Sequence, residues 1–178
     1  DCLLSRGLGD VYKRQLMYHF RTLAMRDLNT ILQIENKGFS SEEAASKEAL
    51  INRINVIKDT FIVAEYDGEI AGYVNGPVIN QAFITDDLFD ETTKNPPHGG
   101  YIAILGLVVG ESYRNQGLAG KLLDHLEHLA IEHERQGITL TCKASLISFY
   151  EQYSYINYGV SESKHGGIQC FNLVKNLD

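Results

Sequence analysis

The run Tyr101-Ile-Ala-Ile-Leu-Gly-Leu-Val-Val109, continued by Gly110-Glu-Ser-Tyr113, Arg114-Asn-Gln-Gly-Leu-Ala-Gly120 and a helix-patterned segment to about Gln136, decides the fold. Its opening residues are nearly all apolar and rich in β-branched types, which predicts a strand buried on both faces. Leu118, Ala119, Leu122, Leu123, Leu126, Leu129 and Ala130 then recur at helical spacing, with one buried stripe. Between strand and helix lies a glycine-bearing turn with an arginine. A strand that stops, glycines that let backbone approach a ligand, and a helix start whose first N–H groups lack partners together predict an anion site, most simply for phosphate. Two nucleotide loops are excluded. Gly120-Lys121 is followed by Leu122 where a Walker loop needs Ser or Thr, and only Gly117 and Gly120 approach the three-glycine dinucleotide fingerprint.

Outward from this run, 178 residues with 44% hydrophobic composition fit one globular domain. A balance of 23 acidic to 16 basic residues, net charge −7, without a long basic cluster, reads against a nucleic-acid partner and favours a cationic or amine substrate. No apolar run is long enough for a transmembrane helix, so no membrane partner is expected. Cys2, Cys142 and Cys170 are an odd set without metal spacing, which implies reduced thiols and a cytoplasmic protein. Residues 1–16 join no periodic pattern and lack the features of a secretory signal. They are read as a non-native or disordered leader, before a single domain over residues 17–178.

Met17–Leu23 reads as a short strand, and Asp27 as the cap of a helix carrying Leu28, Ile31, Leu32, Ile34 and Phe39. Ser40-Ser41-Glu42-Glu43 reads as the start of a second helix reaching Val56. Thr60–Tyr66 and Glu69–Ile79 are strands joined by the hairpin signal Asp67-Gly68, the second weakened at Pro77. The polar segment Asn80–Gly100 is long enough to be functional and is expected to form a flap beside the substrate. Gly137 should end the central helix. A strand at Ile138–Lys143, a short helix at Leu146–Gln152, and strands at Tyr155–Val160 and Ile168–Val174 complete the chain. Seven or so strands with four helices predict a mixed, mostly antiparallel α/β sheet with helices on both faces.

Arg114-Asn-Gln116-Gly117-Leu-Ala119 resembles the pyrophosphate loop of the GNAT superfamily of N-acetyltransferases, and Phe149-Tyr-Glu-Gln-Tyr-Ser-Tyr155 resembles a second signature of that family. The order of elements is similar from about Phe20 to the C-terminus. Leu107–Gly117 and Leu140–Tyr150 look nearest to the arylalkylamine (serotonin-type) branch and its bacterial relatives. The resemblance implies a GNAT-type sheet splayed at its central strands, acetyl-CoA as co-substrate with no metal, and transfer of the acetyl group to a primary amine by direct attack in a ternary complex. It also makes a homodimer an expectation.

On the same resemblance, backbone N–H groups of Gln116, Gly117, Leu118, Ala119 and Gly120 would hold the pyrophosphate, with Arg114, Asn115 and Lys121 around it. The strand Leu107-Val108-Val109 would pair with the pantetheine arm through Leu107 and Val109. Tyr150 matches the family tyrosine that returns a proton to the coenzyme thiolate; without the motif it reads rather as a packed helix tyrosine with its hydroxyl at the surface. The sequence departs from the arylalkylamine branch at Ala103 and Leu105, which stand where that branch has two histidines, so the general base is open. His98, Asp86, Asp87 and Glu35 are candidates by location, each otherwise an ordinary surface residue. His125, His128 and His133 on the central helix read as solvent-facing rather than as a metal cluster, and Cys142 as an inert thiol. Two alternatives stay open: a non-catalytic acetyl-CoA-binding module, and a peptide or protein N-acetyltransferase.

Overall fold

The computed structural model describes residues 18–177; the expected leader and Cys2 lie outside them. Nine strands form two sheets among the described residues. In the first, β1 (His19–Thr22), β2 (Phe61–Tyr66), β3 (Glu69–Asn75) and β6 (Gly106–Val109) lie antiparallel in that order. The second runs β4 (Val78–Ile79), β5 (Tyr101–Ala103), β7 (Gly137–Cys142), β9 (Phe171–Asn176) and β8 (Ile156–Val160), with only the β5–β7 pair parallel. The helices are α1 (Leu28–Gly38), α2 (Lys47–Val56), α3 (Leu118–Glu132) and α4 (Ile147–Glu151).

The strand total exceeds the sequence expectation because two runs are each cut in two at the same level. Glu69–Ile79 breaks at Gly76-Pro77, where a proline without an N–H cannot continue the ladder. A Cβ on Gly76 would meet the Ala103 carbonyl, so the two broken runs cross tightly. Tyr101–Val109 breaks at Ile104-Leu105. The Ile104 N–H bonds the Thr139 carbonyl of β7 at 2.8 Å, whereas the next N–H, of Leu105, bonds the Asn75 carbonyl of β3 at 2.9 Å. One peptide step thus passes the chain from one sheet to the other, and the sheets diverge beyond it.

Alternation along the central strands divides the core. Leu107 and Val109 pack with Ala71, Val74 and the α3 stripe Leu118, Leu122, Leu123 and Leu126, while Val108 and Tyr73 face Ile31, Leu50 and Ile54 of α1 and α2. Each fully buried leucine of that stripe contributes about 1.5–3 kcal/mol of transfer free energy. Helices therefore cover both faces of the first sheet, as expected.

Several boundaries differ from the sequence reading. Asp27 does not cap α1 by its side chain; its carboxylate accepts from the Ala24 N–H at 2.9 Å and pairs with Arg21 at 2.8 Å. Ser40–Glu43 forms a separate turn, and α2 starts later under Ser46, whose Oγ accepts from the Ala49 N–H at 3.0 Å. Helix α3 stops at Glu132 rather than at Gly137, because Glu134 turns left-handed (φ 54°) and Gly137 already begins β7. Asn80–Gly100 is pinned rather than a free flap. Asn95 accepts from the Val78 N–H at 2.8 Å and donates to Asp59 and Thr60, and Asn52 accepts from Thr92 at 2.8 Å.

Candidate active site

The edge of β6 that faces the gap carries the first part of the site. The Gly110 N–H bonds the Ala71 carbonyl at 2.7 Å, and Val108 is paired with Tyr73. The alternation of an antiparallel ladder then turns the main-chain groups of Leu107 and Val109 away from β3, toward the gap. Val109 O accepts from Arg114 Nε at 3.3 Å, so Arg114 folds back over the end of this edge.

Beyond the edge the chain makes a tight loop into α3. Gly117 holds the N-cap position at φ 79°, and no side chain caps the helix. That left-handed conformation is natural for glycine and strained for other residues. The first internal bond runs from the Lys121 N–H to the Gly117 carbonyl at 3.2 Å, which leaves the N–H groups of Leu118, Ala119 and Gly120 aimed out of the helix end. A Cβ at Gly117 would meet open space, whereas one at Gly120 would collide with the Tyr153 hydroxyl. The helix start thus presents donors to an anion on one side and is packed by Tyr153 on the other.

Between the diverging sheets lies a cleft of about 600 Å³, walled by Leu105, Leu107, Leu140 and Tyr150. Tyr150, on α4, is buried with its ring against Phe149 and Tyr155, centroids 5.0 and 5.6 Å away. Burial, and to a lesser degree Cys142, hold its phenol protonated well above the ordinary range. Cys142 also lines the cleft; burial pushes its thiol up to about 11, so it is no thiolate at neutral pH. Leu105 faces the cleft, and Ala103 is fully enclosed.

Three segments distant in sequence close the other end. They are the Ser40–Glu43 turn after α1, the turn Asp86–Phe89, and the stretch His165–Cys170 between β8 and β9. His165 stacks on Phe89 with centroids 3.8 Å apart and planes 4° from parallel. Its Nε2 lies 3.0 Å from the Glu43 carbonyl oxygen. Asp86 accepts from the Ser163 hydroxyl and from the Lys164 N–H at 2.9 Å. Burial would raise its carboxyl, but these hydrogen bonds hold it below the usual carboxylate range. The Glu43 carboxylate accepts from Ser40 Oγ at 2.9 Å and lies 3.8 Å from Lys143 Nζ.

The base candidates read from sequence therefore part ways. Asp86, Asp87 and His98 are all exposed and outside the cleft lining; Asp86 differs in clasping the turn that carries His165. Glu35 is not a surface residue: at 2% exposure it accepts from the Tyr73 hydroxyl and from the Ala45 N–H at 2.9 Å, tying α1 to β3. His125 is half-buried against Phe20, centroids 4.9 Å apart, instead of meeting solvent, and burial pushes its imidazole down. His128 and His133 contact main-chain oxygens of their own helix at 2.7 and 2.9 Å. His165, Glu43, Lys143 and Phe89 were not singled out by sequence. A histidine followed by two glycines was the one local signal.

The description "Acetyltransferase (GNAT) family" matches residues 26–155, which include the gap edge, the helix-start loop and Tyr150. The chain belongs to this family. It is accordingly an acetyl-CoA-dependent acetyltransferase. Solved structures agree on the fold. Arabidopsis thaliana NAA60 in complex with a bisubstrate analogue is 21% identical, with 90% of this chain and 98% of that one covered, at a TM-score of 0.67. The ribosomal-protein-S18-alanine N-acetyltransferase from Escherichia coli is 15% identical over 91% and 95%, at 0.66. The loading GNATL domain of CurA from Lyngbya majuscula is 13% identical over 89% and 97%, at 0.73. At these identities the likeness concerns the fold alone. No curated protein matches the chain by sequence. Among the described residues no helix is long and apolar enough to cross a membrane.

Proposed function

We propose that the acceptor is a small primary amine, acetylated by direct attack within a ternary complex, with Tyr150 as general acid. The observation that carries this reading is the closed far end of the cleft. A polypeptide acceptor needs a channel between the Ser40–Glu43 turn and the His165–Cys170 stretch, and these are joined by the contact of His165 Nε2 with the Glu43 carbonyl. Gly166 also sits so close that a Cβ would lie 2.6 Å from Glu43 Cγ. Phe39, Phe89 and Ile168 offer apolar walls for the body of the amine, and Glu43 offers a negative charge for its ammonium end. That combination suits an arylalkylamine, the acceptor of the branch the sequence most resembles.

Acetyl-CoA supplies the activated acetyl group. The N–H groups of Gln116, Gly117, Leu118, Ala119 and Gly120, the last three aimed out of the helix end, suit its pyrophosphate, with Arg114, Asn115 and Lys121 around it. The gap edge of Leu107-Val108-Val109 suits an amide-bearing arm, which could bond to main-chain groups as a strand would. As nitrogen bonds to the acetyl carbon and the C–S bond breaks, Tyr150 Oη–H gives sulfur its proton. Burial keeps that phenol protonated at neutral pH, as a weaker acid than a free tyrosine. Release of free thiol, followed over a panel of amines and of short peptides, tests the reading: turnover with small amines and none with peptides is expected, and the reverse preference would overturn it.

A further inference from the structure

We infer that His165 is the proton acceptor for the attacking amine, a role neither Ala103 nor Leu105 can fill; this rests on the small-amine reading above. A carbonyl oxygen only accepts hydrogen bonds. The ring nitrogen facing the Glu43 carbonyl at 3.0 Å, Nε2, therefore carries a hydrogen, and the neutral form of the ring has that tautomer. Nδ1 is then left with its lone pair. The ring is fixed as well as its tautomer, by the parallel stack on Phe89 and by the clasp of Asp86 on the Ser163 hydroxyl and the Lys164 N–H. Gly166, at φ 77°, supplies the left-handed bend that seats the histidine against the Glu43 turn.

The competing groups around the cleft are less suited. Asp86 is spent on the clasp. Glu43 is engaged by Ser40 Oγ and lies near Lys143. Cys142 stays a thiol at neutral pH, and Tyr150 is held protonated, which makes it a donor. His165 lines the same cleft as Tyr150, on the side where the acceptor would stand.

The protons balance. The ammonium gives one proton to His165 Nδ1, directly or through one water, and the imidazolium passes it to solvent. The freed lone pair forms the N–C bond, the C–S bond breaks with its electron pair on sulfur, and Tyr150 protonates that sulfur. The second proton shed by nitrogen restores Tyr150.

His165→Gln tests this, because the Gln amide can still donate to the Glu43 carbonyl but has no basic nitrogen. Two acceptors are compared at pH 7: 2-phenylethylamine, largely ammonium, and hydroxylamine, largely neutral. The variant should lose about 100-fold or more in kcat with 2-phenylethylamine and less than about tenfold with hydroxylamine. Its acetyl-CoA affinity by calorimetry should match the wild type. Equal losses with both acceptors would make His165 a wall residue, and an unimpaired variant would likewise overturn the assignment. Should His165→Gln bind acetyl-CoA poorly, His165→Ala is assayed with and without added imidazole; rescue supports the role, and no rescue counts against it. A wild type that turns over peptides but no amine would sink the small-amine reading itself, which is a different result from an active wild type matched by its variant.

Discussion

The two ends of the cleft are built on opposite plans. The end proposed for the coenzyme is made from one continuous run, β6, its loop and α3, and its polar groups are main-chain N–H and carbonyl groups fixed by regular structure. The end proposed for the acceptor is assembled from three turns brought together by side chains: Asp86 on Ser163, His165 on Phe89 and on the Glu43 carbonyl. A main-chain site tolerates many side chains but little change of backbone. A side-chain site keeps its backbone and depends on a few atoms. Substrate choice can therefore vary at the acceptor end without disturbing the coenzyme end.

Tyr150 stands where the two ends meet, and its loss should give the largest effect. Tyr150→Phe should cut kcat on the order of 100-fold while acetyl-CoA binding, measured by calorimetry, stays near wild type. An active Tyr150→Phe enzyme would leave sulfur to be protonated by another group. At the coenzyme end the expected sensitivity is to backbone space. Gly120→Ala forces a methyl against the Tyr153 hydroxyl, so a denaturant melt should show about 1–3 kcal/mol of lost stability together with weaker acetyl-CoA binding. Unchanged stability would mean that Tyr153 swings aside and that this end is softer than described.

At the acceptor end the effect should be smaller and confined. Asp86→Ala should raise the amine KM several-fold, about 1 kcal/mol of binding, while leaving the acetyl-CoA affinity unchanged. Because the Asp86 pKa is lowered in the folded protein, its contribution to stability is full above the ordinary carboxylate value of about 4 and is lost as pH falls through the lower folded value. The melting-temperature gap between wild type and Asp86→Ala should therefore be present at neutral pH and close in acid. A gap that widened on acidification would contradict the clasp. Cys142→Ser should change turnover least, within about threefold, since a thiol pushed up to about 11 takes no part in proton traffic at pH 7.

The difference between the ends also explains what could be read from sequence. Arg114, Gln116, Gly117 and Gly120 lie within one loop, and the α3 stripe follows by periodicity, so the turn and the helix start were legible. Tyr150 was placed by a motif that is equally contiguous. His165 and Glu43 lie 122 positions apart, and Asp86 is 77 from Ser163; only folding brings them together, and no local period marks them. Glu43 was further hidden because Ser40-Ser-Glu-Glu43 has the form of a helix start, while the actual cap is Ser46. The splay was implied only by resemblance, since an apolar run such as Tyr101–Val109 gives no sign that its hydrogen-bond partner changes at Leu105.

The change of partner between Ile104 and Leu105 has a bearing on solubility. An open strand edge on the outside of a protein invites another chain to add to it, and long flat edges are a route to aggregation. Here the edge starts in a recess between two sheets at Leu107, runs only to Val109, and is covered at its end by Arg114. A neighbouring β-strand cannot enter so short and walled a slot, but a thin flexible chain can. The recess thus screens this one edge, at β6, from strands of other copies.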